Sequence, residues 1–161
     1  MERFTGKNAA ILLIDHQSGT MGWARSTPFE SMKTNTLMLA KSAMIMDMPL
    51  VLTSSMEDFV QGPLLAEFQE ICPDAYASRV KRMGIVNAME DEGFAAAVKA
   101  AGRKNIVIAG VTNDVCTVFP VLTLIEQGYN VQVVADAGGS PTEIADRVSL
   151  QRMENAGAVM L

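Results

Sequence analysis

The 161-residue sequence has one histidine, two cysteines and no excess of positive charge, and each scarcity removes a class of function. A net charge of -5 with 19% charged residues offers no basic footprint for nucleic acid or for an anionic membrane surface. Neither partner is expected. The longest apolar runs fall far short of the roughly 20 residues that a bilayer span requires. The start "MERFTGKNAA" lacks the charged-then-apolar layout of a secretory signal. A cytoplasmic location is the resulting expectation. Cys72 and Cys116 are too few for a disulfide framework, and in a reducing cytosol both are expected as free thiols. Because His16 is the sole histidine, no zinc-ligand spacing is recognisable and a Cys-His mechanism must use that residue or none. The glycines are also wrong for nucleotides: "DHQSGTMG" lacks a close glycine triplet, and no GxxxxGK[ST] loop occurs. No metal and no cofactor is expected.

What the chain does have is apolar content, 49% of residues, enough for one domain over 1–161 with a sizeable core. No repeat, low-complexity tract or linker interrupts it. Four short runs, "AAILLI" (9–14), "PLVLTS" (49–54), "NIVIAG" (105–110) and "NVQVVA" (130–135), read as strands buried on both faces. Helical patterns lie between them. Residues 30–47 place Leu37, Ala40, Ala43 and Met44 at helical spacing, and "EGFAAAVKAAG" aligns Phe94, Ala95, Val98 and Ala101, with Gly102 as the stop. In "SPTE", Ser140 is the expected cap, Pro141 suits the first turn and Glu143 completes a capping box for a helix running to about Asn155. "AGAVML" then opens one more strand. This alternation predicts a three-layer α/β/α fold with a mainly parallel, Rossmann-like sheet.

Sites in such folds lie at the carboxyl ends of strands, which selects "DHQSG", "SSMED", "GVTNDVC" and "DAGGS". Asp15 directly follows the first run, placed to act as a base or, more blandly, as a helix cap. Cys116 opens the helical run "CTVFPVLTLIEQG", where unpaired N–H groups favour a thiolate and an oxyanion. The competing reading is a small buried hydrophobe. Cys72, before a proline, reads as packing or an exposed thiol. Lys81 and Arg82 join Arg79 in a basic cluster that either serves a thiol or carboxylate or is simply solvated. Pro120 has no N–H for the Cys116 carbonyl, which reads either as a local distortion behind the thiol or, more commonly, as a kink tolerated by packing.

Taken in order, "AAILLIDHQSG", "PLVLTSS", "GPLLAEFQEICPDA", "RMGIVNAMEDEGF", "RKNIVIAGVTNDVCTVFPVLTLIEQGYNVQVVADAGGSPTE" and "RMENAGA" resemble the isochorismatase-like cysteine hydrolases. Within that superfamily the likeness is to bacterial oligomeric hydrolases of unknown specificity. The resemblance implies Cys116 as nucleophile, Asp15 as general base and a cation at Lys81 or Arg82. An ungapped "RMGIVNA" favours Arg82, and the usual residue type favours Lys81. It further implies a cis peptide between Val111 and Thr112, with the N–H groups of Thr112 and Cys116 as the oxyanion hole. The partners it implies are a small-molecule substrate and further copies of the chain, a homo-oligomer with the octamer as candidate form. Asp114 is then explained as a helix cap.

The expected function is metal-independent hydrolysis of a small amide or related C–N bond through a thioester. The alternative is a non-catalytic or redox-sensitive binding member of the same fold, which a thiol pKa near or above the ordinary ~8.5 would favour. A flavodoxin-like nucleotide binder is disfavoured by the missing glycines. Nicotinamidases carry a histidine cluster that this chain lacks, and vinyl-ether-cleaving relatives lack the cysteine that it has. Gln17, Trp23, Ser54 and Asn113 are expected near the substrate because they adjoin strand ends. Relatives also continue past "AGAVML", so the chain is expected to be short at its C-terminus.

Overall fold

The computed structural model describes residues 3–161. Its strands are β1 (Ala9–Ile14), β2 (Leu50–Ser55), β3 (Val80–Arg82), β4 (Asn105–Gly110), β5 (Asn130–Val133) and β6 (Val159–Met160). Its helices are α1 (Ser18–Met21), α2 (Phe29–Ile45), α3 (Phe68–Ile71), α4 (Pro73–Ala77), α5 (Glu92–Ala100), α6 (Val118–Glu126) and α7 (Glu143–Ala156). All six strands are parallel, in the order β3-β2-β1-β4-β5-β6. The expected three-layer fold is thus the observed one. Strand β3 escapes an apolar-run search because it is three residues long and reads "VKR".

Alternation along β1 divides its side chains between two cores. Ala9, Ile11 and Leu13 pack with Met32, Ala40 and Ala43 of α2, while Ala10, Leu12 and Ile14 meet Phe94 and Val98 of α5, Val121 and Leu124 of α6 and Met153 of α7. Each fully buried Leu, Ile, Phe or Met contributes roughly 1.5–3 kcal/mol, which explains why the central strand is apolar on both faces. Met44, on the other side of α2, is 42% exposed. Local signals set the helix ends: Asp91 caps α5 by accepting from Phe94 N at 2.9 Å, and Gly102 follows at φ +63°.

The cap of α7 differs from expectation. Thr142, not Ser140, accepts from Ala145 N at 3.1 Å, and the Ser140 hydroxyl donates to Asp146 at 2.8 Å. The extended backbone at Thr142 sets its side chain over the first turn, so the helix begins at Glu143, the last residue of the expected capping box.

The chain builds outward from β1 to β3, then crosses to place β4 on the opposite side of β1. That reversal opens a crevice at the carboxyl ends of β1 and β4.

Candidate active site

Three strand ends deliver three of the expected site side chains to this crevice. Asp15 leaves β1 in a left-handed turn, φ 59°, unusual for a residue with a side chain. Its N–H donates to the Thr53 carbonyl at 3.0 Å, and its own carbonyl accepts from Gln17 N at 2.7 Å. Such a backbone position costs on the order of 1–3 kcal/mol and persists where neighbours fix it.

Arg82 ends β3 and is 1% exposed, as is Asp15. Its Nη1 and Nη2 donate to the two Asp15 oxygens at 2.8 Å each, Nη1 also donates to Thr53 Oγ1 at 2.9 Å, and Nε donates to the Ile85 carbonyl at 3.2 Å. Thr53 in turn donates to the Val80 carbonyl at 2.8 Å. A guanidinium fork on a carboxylate fixes orientation as well as charge. Burial opposes the Arg82 charge, but the hydrogen bonds and charge of Asp15 outweigh it and hold its pKa above the usual value.

Cys116 lies in a π-helical turn, Asn113–Thr117, between β4 and α6. The wide winding is visible in Thr117 N donating to the Thr112 carbonyl, five residues back, at 3.1 Å. Pro120 follows at the third position of α6, directly after this wide turn. The Val111–Thr112 peptide is cis. Burial, then the charge and hydrogen bond of Asp15, push the Cys116 thiol well above its ordinary pKa, and the Arg82 charge and the Thr112 N–H oppose them only in part. The carboxylate is thus the main charged neighbour that keeps the sulfur protonated.

These groups line a pocket of about 190 Å³. Among the described residues, Asp15 and Arg82 are its only charged lining residues; Trp23, Ile85, Val86 and Val115 form an apolar wall, and Thr20, Ser55 and Gln61 are its uncharged polar members. Among the described residues no group of three or more His, Cys, Asp or Glu converges as a metal site would require.

Residues 9–161 match the Isochorismatase domain family. The chain belongs to that family. It is 39% identical to the "Probable hydrolase YcaC" of Escherichia coli (strain K12) over 159 residues, 99% of this chain and 76% of that one. The solved Escherichia coli YcaC, described as an octameric hydrolase of unknown specificity, superposes with a TM-score of 0.95 at 40% identity, covering 100% of this chain and 78% of that one. YcaC from Pseudomonas aeruginosa, solved with hexane-2,5-diol and covalent acrylamide, gives a TM-score of 0.95 at 39% identity over 99% of this chain and 78% of that one.

Within this isochorismatase-family pocket, the residues expected from sequence separate into two groups. Asp15, Arg82, Cys116 and Trp23 line it. Lys81 does not: neighbours on a strand point to opposite faces, so with Arg82 inward Lys81 is carried outward, 60% exposed and 3.3 Å from Glu57. Glu57 also takes Arg79 at 2.7 Å and Ser54 at 2.7 Å, and the Arg79 bond, chiefly, holds its pKa down to about 2 despite partial burial. The basic cluster is thus largely a network around one carboxylate, and Ser54 belongs to it rather than to the pocket.

Gln17 is also corrected. Its amide donates to the carbonyls of Ser55 at 2.9 Å and Gly62 at 2.5 Å and accepts from Ser55 N at 2.8 Å, bracing two loops from a fully buried position. Asn113 is buried as well, donating to Ala135 O and to Asp146. Asp114 lies inside the π-helical turn and caps no helix. His16, fully buried, bonds the Ala137 carbonyl at 2.8 Å, and desolvation lowers its pKa to about 4. It is absent from the pocket lining. Cys72 packs in the α2-side core, where burial raises its thiol to about 11. Thr20, Gln61 and Thr53 went unnoticed in the sequence, because ordinary polar residues in loops and strands carry no local mark of convergence.

Proposed function

We propose that this chain hydrolyses a small amide or related C–N bond through a thioester on Cys116. The observation that carries the reading is the convergence of the Cys116 thiol, the Asp15 carboxylate and Arg82 on one pocket from three separate strand ends. Asp15 takes the thiol proton as sulfur attacks the carbonyl carbon, and the C=O electron pair moves onto oxygen. The N–H groups of Thr112 and Cys116 receive that oxyanion, a kind of donor typically worth about 10²–10³ in rate. Collapse breaks the C–N bond, and Asp15 returns its proton to the leaving nitrogen. Water then attacks the thioester, Asp15 takes its proton, and the proton passes to sulfur as the acid leaves. These steps engage only the chain's own groups and water, so the reaction is proposed as metal-independent.

The raised thiol pKa favours the second reading, a non-catalytic or redox-sensitive binder, when considered alone. Contact with a base changes its meaning. A thiol that keeps its proton at rest and sheds it to a touching carboxylate only as the carbonyl arrives needs no standing thiolate. The Pseudomonas aeruginosa relative carries acrylamide covalently, which supports the presence of a reactive nucleophile here. The octameric Escherichia coli relative, together with the exposed Met38, Ile45 and Met46 on and just after α2 of this chain, supports a homo-oligomer here, which light scattering tests. Cytoplasmic location remains part of the proposal; no helix among the described residues is long and apolar enough to cross a membrane.

The test is turnover of a small-amide panel followed by intact-mass detection of an acyl adduct. An adduct on the wild-type protein that is absent from Cys116→Ala, together with loss of turnover, is the expected result. Turnover surviving in Cys116→Ala sinks the mechanism.

A further inference from the structure

Two buried polar atoms of the pocket residues have no hydrogen-bond partner: the Thr20 hydroxyl and the Gln61 side-chain carbonyl oxygen. Thr20 is 3% exposed. A buried polar group left unpaired costs about 1–3 kcal/mol, and folded proteins keep few of them. Gln17 and Arg82, by contrast, are each held by several bonds.

The backbone brings the two residues together. Gly19 N and Thr20 N both donate to the Gln61 carbonyl, at 2.9 and 3.3 Å. The approach requires glycine, because a Cβ at Gly19 would run into the Val60 carbonyl. Gln17, bonded to the Gly62 carbonyl, braces the same loop from behind. A rigid frame therefore holds in the wall of one pocket two residues that each carry a buried, unsatisfied polar atom.

Charge narrows what they meet. Asp15 and Arg82 neutralise each other, and the Arg82 fork is already engaged by Asp15, Thr53 and Ile85. An anionic substrate would find no other cation in the lining and would approach the Asp15 carboxylate. Size narrows it further, since about 190 Å³ lies below the roughly 300–1,000 Å³ of sites for drug-sized ligands.

We infer that Thr20 and Gln61 are substrate-binding residues and that the substrate is a small, uncharged carboxamide bearing at least one N–H. The Gln61 oxygen accepts that N–H, and the Thr20 hydroxyl, both donor and acceptor, pairs with the adjoining polar group. The inference rests on the hydrolase reading for the identity of the reacting group.

Three nearly isosteric electrophiles test it: acrylamide, with N–H groups; methyl vinyl ketone, neutral without N–H; and acrylate, charged without N–H. In each, the sulfur bonds to the terminal alkene carbon and the C=C electron pair takes a proton at the carbon next to the carbonyl. Alkylation of Cys116 is followed by peptide mass mapping, with each rate divided by that of glutathione. The normalised acrylamide rate is expected to exceed the other two by about tenfold or more, the scale of one hydrogen bond at the upper end of its net worth. Thr20→Val and Gln61→Met should each lower the acrylamide rate severalfold while leaving methyl vinyl ketone nearly unchanged, which also reports an intact site. Equal normalised rates in the wild-type protein, or a preference untouched by both substitutions, would overturn this inference alone. A Cys116 inert to all three would overturn the hydrolase reading and the inference with it.

Discussion

Arg82 grips Asp15 through two parallel hydrogen bonds of 2.8 Å, with both side chains 1% exposed. The pair ties the end of β3 to the end of β1 across β2, and Thr53 of β2 is its third anchor. Position of the carboxylate, and through it of the proposed proton transfer, is thus set by a cation from a three-residue strand.

Removing one partner of a buried ion pair leaves the other charge uncompensated, typically at about 3–5 kcal/mol. Arg82→Met should therefore lower unfolding stability by about that amount, whereas Lys81→Met, on an exposed pair, should cost within about 1 kcal/mol. Urea denaturation of the two variants checks this. Equal losses would show that Lys81 bears more of the site than its position allows.

Cys116 alkylation by iodoacetamide should rise with pH through and beyond the ordinary thiol range near ~8.5, because burial and Asp15 hold the thiol protonated. Asp15→Asn removes a charge and a hydrogen bond that raise the thiol, so its alkylation midpoint should move to lower pH. Turnover should move the opposite way, dropping by about 10²–10⁴ with loss of the general base. A midpoint unchanged in Asp15→Asn would mean that the carboxylate does not act on the sulfur.

His16 makes stability depend on acid. Its folded pKa is lowered from 6.5 to about 4, chiefly by desolvation, so between those values the unfolded chain binds a proton that the folded chain excludes. Stability supplied by the neutral ring is complete above pH 6.5 and is lost as pH falls towards about 4, in all about 3 kcal/mol. His16→Gln, whose amide can still donate to the Ala137 carbonyl, should lose correspondingly less over that window. Parallel stability profiles for the two proteins would contradict it.

Gly19→Ala should unseat the contact between α1 and the Gln61 loop, since the added methyl meets backbone rather than a yielding side chain. A stability loss of about 1–3 kcal/mol is expected, together with a lower acrylamide rate at Cys116. Thermal unfolding and the alkylation assay measure the two effects separately.

Much of the architecture is legible from residue order alone. The apolar runs of β1, β2, β4 and β5 are strands because a central parallel strand must be apolar on both faces, and that requirement acts residue by residue. Asp91 and Gly102 delimit α5 through contacts within a few residues. The brevity and charge of β3 hid it, since neither an apolar run nor a period is visible in "VKR".

At the site, position along the chain was sufficient to bring Asp15 and Cys116 forward, because both directly follow or closely trail a predicted strand. The choice between Lys81 and Arg82 was not available there. It depends on which face of β3 turns inward, and the register Ser54 with Lys81 and Ser55 with Arg82 decides it. The helix-start position of Cys116 pointed to a lowered thiol pKa, yet desolvation and Asp15 reverse the sign. Gln17, Ser54 and Asn113 sit beside strand ends as expected, but their polar atoms turn to backbone and to neighbouring side chains. By itself the sequence determined the strands, their alternation with helices and the strand-end placement of the chemistry, all products of local patterning. Only the tertiary structure decided which side chains meet, how much water they lose and which polar atoms stay unpaired, because those depend on groups brought together across distant parts of the chain.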